Sequence, residues 1–392
     1  MRTLARLRIR IGFGLGLGIL LALPLAAPLP ASAEGRLRPL DPAEAIRFPR
    51  DHGSHDDANV EWWYVTGHLS GAGGVRLGYQ LTFFRVALAD EPRGTRASAW
   101  AARDLHLAHF AVTDVAAGTF RYAQRAHRSG VGAAFAREES LDAVNEEWRL
   151  VEAGGKFFLT AKDGGDELSL VLEPQKPPVA NGPNGISRKG PEAEAVSKYV
   201  SLTRLSTSGW WRTGRGAGTE AKAFPVTGTS WLDHEWGPGS VGKETAGWDW
   251  FSVQLDDGRD LMLYLLRGVS GAPTRFTSGT LVERDGRSRP LSGADFTVET
   301  TARWKSPRSG ADYPAGWRLL VPSAGLDLSV RPLVADQELV TDRSTFVTYW
   351  EGACEVRAAS PSGPLAGKAY VEMTGYAGKG ALGVLSGSAK TR

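Results

Sequence analysis

Sulfur is nearly missing from this chain: its 392 residues hold one cysteine, Cys354, and three methionines. A lone cysteine excludes an internal disulfide, so an exported protein of this size must be held together by its core. Beyond the N-terminus there is no block of lysine or arginine, which removes the electrostatic footprint expected of a nucleic-acid binder. Sustained 3.6-residue periodicity is scarce as well, and only 134–150 has the composition of a helix or a few turns. No Gly-x-Ser-x-Gly elbow sits in a strand-to-helix setting, so the sequence offers no support for a serine hydrolase. Zinc spacings are absent too. His52, His55, Asp56 and Asp57 form a metal-like cluster before the first strand with nothing to complete it, and His234-Glu235 is followed by Pro238 where a zincin needs histidine. No cofactor and no metal are expected.

Four arginines at positions 2, 6, 8 and 10, an apolar stretch over 11–29 and Ala31-Ser-Ala33 read as a cleaved signal peptide, with an uncleaved membrane anchor as the alternative. The protein is therefore expected in the periplasm or secreted. Without the leader's arginines the formal charge of +3 becomes −1, so the basic balance belongs to the leader. The remaining length suits two domains of roughly 150 to 190 residues.

What is abundant is strand chemistry: short runs of Val, Leu, Phe, Tyr, Trp and Thr, broken by Gly, Asp-Gly and Ser-Gly, with 13 tryptophans to bury. The runs fall into two diverged copies. Trp62-Trp-Tyr-Val-Thr-Gly-His-Leu69 matches Trp248-Asp-Trp-Phe-Ser-Val-Gln-Leu255 as an opening strand, and each copy continues into an apolar run ending in Arg85 or Arg267. Gly228-Thr-Ser-Trp-Leu-Asp-His-Glu-Trp236 matches Gly367-Lys-Ala-Tyr-Val-Glu-Met-Thr-Gly375 as a closing strand, with His234 replaced by Met373. The first copy is longer by a Pro/Gly-rich insertion at 173–191, expected to lack regular structure. Asp256-Asp-Gly258 and Asp285-Gly286 supply hairpin turns. Short strands at regular spacing, twice over, point to all-β sandwiches or barrels, and the matched opening strands and terminal arginines favour barrels.

Those motifs, together with Phe48-Pro-Arg-Asp-His-Gly-Ser-His55, Tyr199-Val-Ser-Leu-Thr-Arg-Leu205 and Tyr349-Trp-Glu-Gly352, resemble the secreted AttH-like proteins and the carotenoid 1,2-hydratases. The resemblance implies two tandem lipocalin-like antiparallel β-barrels with little helix. It gives a signal peptide over 1–33, a linker over 34–46, a first barrel over 47–238 and a second over 239–392. It also implies a hydro-lyase adding water to an apolar isoprenoid alkene, or a non-enzymatic lipid-binding protein working with an ABC-type export system. The export signal favours the exported branch over the pigment hydratases. A scaffold with filled cores is a third reading.

Strand alternation puts His234 and Trp236 on one face and Trp231, Asp233 and Glu235 on the other. A titratable group beside an aromatic wall suits protonation of an alkene and stabilisation of the resulting cation, and the hydratases' resemblance implies the pair His234 and Trp236. The ordinary alternative is a core histidine bonded to a backbone carbonyl. Because Met373 fills its place in the second copy, barrel closure alone does not demand a histidine. Asp233, Glu61 and Asp249, in that order, are the candidate acids, since a desolvated carboxyl titrates high. Trp62, Trp63, Tyr64, His68, Arg85, His109, Trp248 and Trp250 are candidate ligand-binding residues; Gln80 and His106 lie on the same strands. Buried polar groups satisfied by backbone are the plainer reading of His68, Gln80, Arg85, His106 and His109.

Overall fold

In the computed structural model, residues 35–88, 90, 102–129, 132–214, 221–239, 241–360 and 363–378 are described, and the expected signal peptide lies outside them. The first half holds β1 (Val60–Gly71), β2 (Arg76–Ala87), β3 (Asp104–Asp114), β4 (Thr119–Arg128), β5 (Ala134–Ala136), β6 (Asp142–Asn145), β7 (Trp148–Ala153), β8 (Lys156–Asp163), β9 (Asp166–Pro174), β10 (Val179–Ala180), β11 (Ile186–Arg188), β12 (Val196–Thr213) and β13 (Lys222–Gly237). The second holds β14 (Thr245–Leu255), β15 (Asp260–Gly268), β16 (Ser278–Val282), β17 (Ser288–Ser292), β18 (Thr297–Lys305), β19 (Asp312–Val321), β20 (Leu326–Pro332), β21 (Glu338–Val340), β22 (Thr348–Ser360) and β23 (Gly363–Met373). The helical content among the described residues is confined to single 3-10 turns.

The strands form two antiparallel sheets, one nearly closed barrel and one half-barrel. Sheet one runs β4-β3-β2-β1-β13-β12-β9-β8-β7-β6-β5, and sheet two runs β17-β16-β15-β14-β23-β22-β20-β19-β18. The two ends of sheet one are bridged by side chains: Arg125 of β4 donates to Asn145 O of β6 at 3.0 Å, and Asn145 Nδ2 donates to His106 O of β3 at 3.2 Å.

One expectation fails, and another needs an addition. The 134–150 segment is β5 to β7, because Trp148 and Leu150 face the core while Arg149 between them is exposed. Its tight reversal uses a left-handed Glu146 with φ 56°. The 173–191 insertion is irregular over most of its length, as expected, and within it β10 and β11 both pair with β12, which satisfies their backbone groups.

The internal repeat survives in register. Trp63 faces His234 and Tyr64 faces Asp233 across β1 and β13, just as Asp249 faces Met373 and Trp250 faces Glu372 across β14 and β23. Glu61 opposite Arg85 corresponds to Gly247 opposite Arg267. Both closing strands also keep their glycine for one reason. A Cβ on Gly228 would lie 1.8 Å from His68 O, and one on Gly367 would lie 2.6 Å from Gln254 O.

Each sheet wraps its own apolar core, one built on Trp63, Leu81, Phe110, Trp148 and Leu170, the other on Phe251, Trp317, Leu328 and Trp350. The first barrel is thus filled by side chains. A third cluster, of Tyr64, Tyr199, Trp231, Trp248, Trp250, Met262 and Tyr264, lies where the two sheets meet. Beside it, Asp260 of β15 takes Lys176 Nζ at 2.6 Å, Arg204 at 2.6 Å and Thr203 Oγ1 at 2.9 Å. The β12 register shift between Leu202 and Leu205 is what frees Thr203 and Arg204 to reach across.

Gly228→Ala should lower unfolding stability by about 1–3 kcal/mol or more, since the added methyl meets backbone and not a side chain that can turn away. Denaturant unfolding checks this, and a variant as stable as the wild type would mean that β1 does not press on β13 there.

Candidate functional site

Strand alternation on β1 and β13 creates two chemically different faces, and the structure separates the candidate residues between them. Trp62, Tyr64, Asp233, Trp248 and Trp250 face a slot between the sheets; His234, Trp236, Glu61, Trp63 and Arg85 lie on the opposite side of the same strands.

The slot encloses about 60 Å³, room for a few waters or a short piece of an apolar molecule. Its walls are pairs of repeat-equivalent positions: Trp62 and Trp248, Tyr64 and Trp250, Tyr199 and Tyr349, Asp233 and Glu372. Four carboxyls line it, Asp233, Glu235, Glu351 and Glu372, and among the described lining residues Lys189 is the one cation. Lys189 is committed to Glu235, which Ser197 also contacts, and its ammonium lies 4.6 Å from the Tyr264 ring centroid. One ammonium cannot compensate four buried carboxylates, so protons must.

Burial pushes Asp233 up to about 7, against hydrogen bonds from Ser201 at 2.5 Å, Trp231 Nε1 at 2.7 Å and Tyr199 at 2.8 Å. Glu372 rises to about 7 through burial, opposed by the Trp248 side chain and raised further by the charges of Asp233 and Glu235. Burial and then the Glu372 charge push Glu351 well above the usual carboxyl range. Tyr64 donates to Glu351 Oε1 at 2.6 Å, whereas Oε2 is buried without a hydrogen-bond partner. A neutral Glu351 would carry its proton on Oε2. In the strand register Ser201 of β12 stands where β22 has Glu351, so this acid belongs to the second copy alone.

The other face holds a dense polar cluster. Glu61, wholly buried, accepts from Ser54 Oγ at 2.8 Å, Arg85 Nε at 3.2 Å and the His55 backbone N–H, and its Oε1 meets His55 Nδ1 at 2.8 Å and His234 Nε2 at 2.9 Å. Burial alone would raise Glu61, but His234, His55 and Arg85 hold it well below its ordinary value. Burial likewise opposes a charged His55, yet Asp51 and Glu61 on its two ring nitrogens raise it. Trp236 stacks on His55 at 3.9 Å between ring centroids, and Trp63 stacks on His234 at 4.8 Å.

The remaining candidates hold the fold together. Asp249 faces away from Trp248 and Trp250, pairing with Arg267 at 3.0 Å and accepting from Tyr376 at 3.0 Å. His68 Nε2 donates to Ala369 O at 2.9 Å, and His109 bonds Tyr349 and Ser344 at 2.7 and 2.9 Å, so both tie the sheets together. Burial lowers His68 to about 4 and His109 to about 3, as suits neutral structural histidines. His106 is buried and also lowered to about 4 by burial. Gln80 lines the slot.

Sequence reasoning passed over Glu351, Glu372, Tyr199, Tyr349 and Lys189 as site residues. The signal was in the repeat itself, because the acidic position of each closing strand, Asp233 and Glu372, is the one that meets its counterpart across the junction.

The proton on Glu351 has a stability signature. Its folded value lies above the unfolded 4.5, so its contribution is full below that pH and is lost as pH rises toward the folded value. Glu351→Gln keeps an acceptor for Tyr64 and does not titrate. Its stability should therefore gain on the wild type by about 1.4 kcal/mol per pH unit between about pH 5 and 7. A flat difference in paired thermal melts would show Glu351 ionised in the folded state.

The profile of AttH-like proteins matches residues 39–376. An AttH-type protein from Nitrosomonas europaea has a crystal structure that superposes with a TM-score of 0.76 at 35% identity, covering 87% of this chain and 100% of that one. Kievitone hydratase from Nectria haematococca superposes at 0.62 and CghA at 0.51, each 15% identical and covering 87% of this chain and 96% of its own; at that identity the likeness is one of fold. No curated protein matches the sequence significantly. The match over most of its length places the chain in the AttH-like family.

Proposed function

We propose that this exported AttH-like protein takes part of an apolar, unsaturated isoprenoid or lipid-like molecule into the slot between its sheets and adds water across an alkene there, with Glu351 as the general acid. The observation that carries this reading is the unpartnered Oε2 of a carboxyl buried among Tyr64, Trp250 and Tyr349. The proton leaves Oε2 as the alkene's π electrons form the new C–H bond, and the neighbouring carbon becomes a cation. The electron-rich faces of Trp62, Trp248 and Trp250 suit that cation, and a carboxyl kept neutral by its surroundings suits the acid role. Water then forms the C–O bond and gives its proton to an ionised neighbour, Glu372 or Asp233, from which Glu351 is reprotonated. Kievitone hydratase, a protein named for hydration, has the same fold.

A purely binding role, carrying a lipid for an ABC-type export system, is the second reading, favoured by the small volume of the slot. Incubation of the full chain with acyclic isoprenoid alkenes in heavy-oxygen water, followed by mass spectrometry, separates the two. Hydration predicts label in an alcohol product, with Glu351→Gln slowing turnover by about 10²–10⁴-fold while quenching of tryptophan fluorescence by the alkene is kept. Activity should fall as pH rises and the acid loses its proton. Quenching without labelled product from the wild type would leave binding as the function.

A further inference from the structure

We propose that His55 Nδ1, His234 Nε2 and Glu61 Oε1 form a binding site for a divalent transition-metal ion of the zinc class, on the face of β13 turned away from the slot. The three donor atoms lie within 4.8 Å of one another, and they are two imidazoles and one carboxylate, a donor set that zinc uses with one position left open. Their residues come from the loop before β1, from β1 and from β13.

Two observations beyond the cluster point to a cation. First, the outer partners are those of metal ligands. His234 Nδ1 bonds Asp51 O at 3.0 Å and His55 Nε2 meets Asp51 Oδ1 at 3.3 Å, so one residue orients both rings through the nitrogens that would not face the ion. The far oxygen of Glu61 is held by Ser54 and Arg85, leaving Oε1 directed at the two rings. Second, acceptor faces acceptor inside the cluster. A carbonyl only accepts, so Nδ1 of His234 carries the hydrogen and Nε2 of a neutral ring would turn a bare lone pair toward Glu61 Oε1. His55 likewise has an acceptor at each ring nitrogen. Two acceptor atoms, His234 Nε2 and Glu61 Oε1, thus face each other at 2.9 Å, a place that a proton or a cation must fill. Arg85 is turned to the far oxygen of Glu61 at 3.2 Å and to Asp104 at 2.9 Å, so its charge is shared with a second carboxylate.

The geometry needs little adjustment. Bonds of about 2.0–2.2 Å to an ion require the donors to stand somewhat farther apart than hydrogen bonds do. His55 can provide that movement, being 9% exposed in a loop, with Asp51, His55 and Trp236 lining a surface cleft that gives a route in. The second copy serves as an internal control. Gly247 and Met373 occupy the registers of Glu61 and His234, so the strand pairing does not require the cluster.

The test is titration of the chelator-treated full chain with Co²⁺, read by visible absorption, with Zn²⁺ competition and calorimetry in buffers of different protonation enthalpy. The expected result is one ion per chain with the intense bands of a low-coordinate site, displaced by Zn²⁺, binding more tightly as pH rises and releasing protons. Glu61→Gln, nearly isosteric, and His55→Ala, at a partly exposed loop position, should each weaken binding at least tenfold. Asp51→Asn should weaken it by about 10–100-fold. Glu351→Gln should leave it unchanged, so this proposal and the hydration reading fail independently. No Co²⁺ spectrum from the wild type at neutral or higher pH, or wild-type affinity in both Glu61→Gln and His55→Ala, would overturn it and leave a hydrogen-bonded structural cluster.

Discussion

Everything chemical in this protein follows from burying both faces of a β-strand whose alternate residues are charged. Along β13, Trp231, Asp233 and Glu235 turn toward the second sheet while Leu232, His234 and Trp236 turn toward the first barrel. The side chains on both faces are buried, so each carboxyl and each imidazole must find a partner, hold a proton or stay neutral. The slot face solves this by protonation, because it has four carboxyls and one ammonium. The barrel face solves it by a dense set of hydrogen bonds around Glu61.

The two copies explain why the site forms at a junction. In each, the opening strand and the closing strand present aromatic and acidic side chains on the same outer face, and those outer faces are packed against one another. An acidic residue that would be a solvated surface carboxylate on a single barrel becomes a buried acid once the copies meet. Divergence then assigns roles. Ser201 of β12 is small and donates to Asp233, whereas β22 carries Glu351 at the same register. Only the second copy carries an acid at that register, and only the first supplies the histidine cluster.

The all-β architecture, the repeat and the equivalence of His234 with Met373 were legible from the sequence, because strand periodicity and a matched Gly-x-x-aromatic-aliphatic-acidic run are local patterns. Even the paired glycines were legible as a signature, though their cause, a partner carbonyl at Gly228 and at Gly367, is a contact between strands. Local pattern failed at 134–150, where alanines suggested helix while Trp148 and Leu150 obeyed a two-residue period. At 173–191 it held for most of the segment and missed only β10 and β11, which exist because the long strand β12 offers them hydrogen bonds. The site was half legible. Alternation sorted Asp233 from His234, but which face meets the other copy depends on sheet packing and is not a property of either strand. Glu61 and His234 are 173 positions apart, a separation at which no motif spacing can reveal a shared site.

That separation bears on how the two faces of β13 can be independent while sharing one backbone. A one-residue slip of β13 against β1 would exchange the faces, placing His234 in the slot and Asp233 against Trp63. The glycine contact at Gly228 works against such a slip, since moving any other residue of β13 into that position brings a Cβ onto His68 O. The clamp of Lys176, Arg204 and Thr203 on Asp260 holds β12 in its own register against the second sheet. The register of a strand distant in sequence from Glu351 thereby decides which side chains stand on each side of the wall, and the glycine at 228 holds that register.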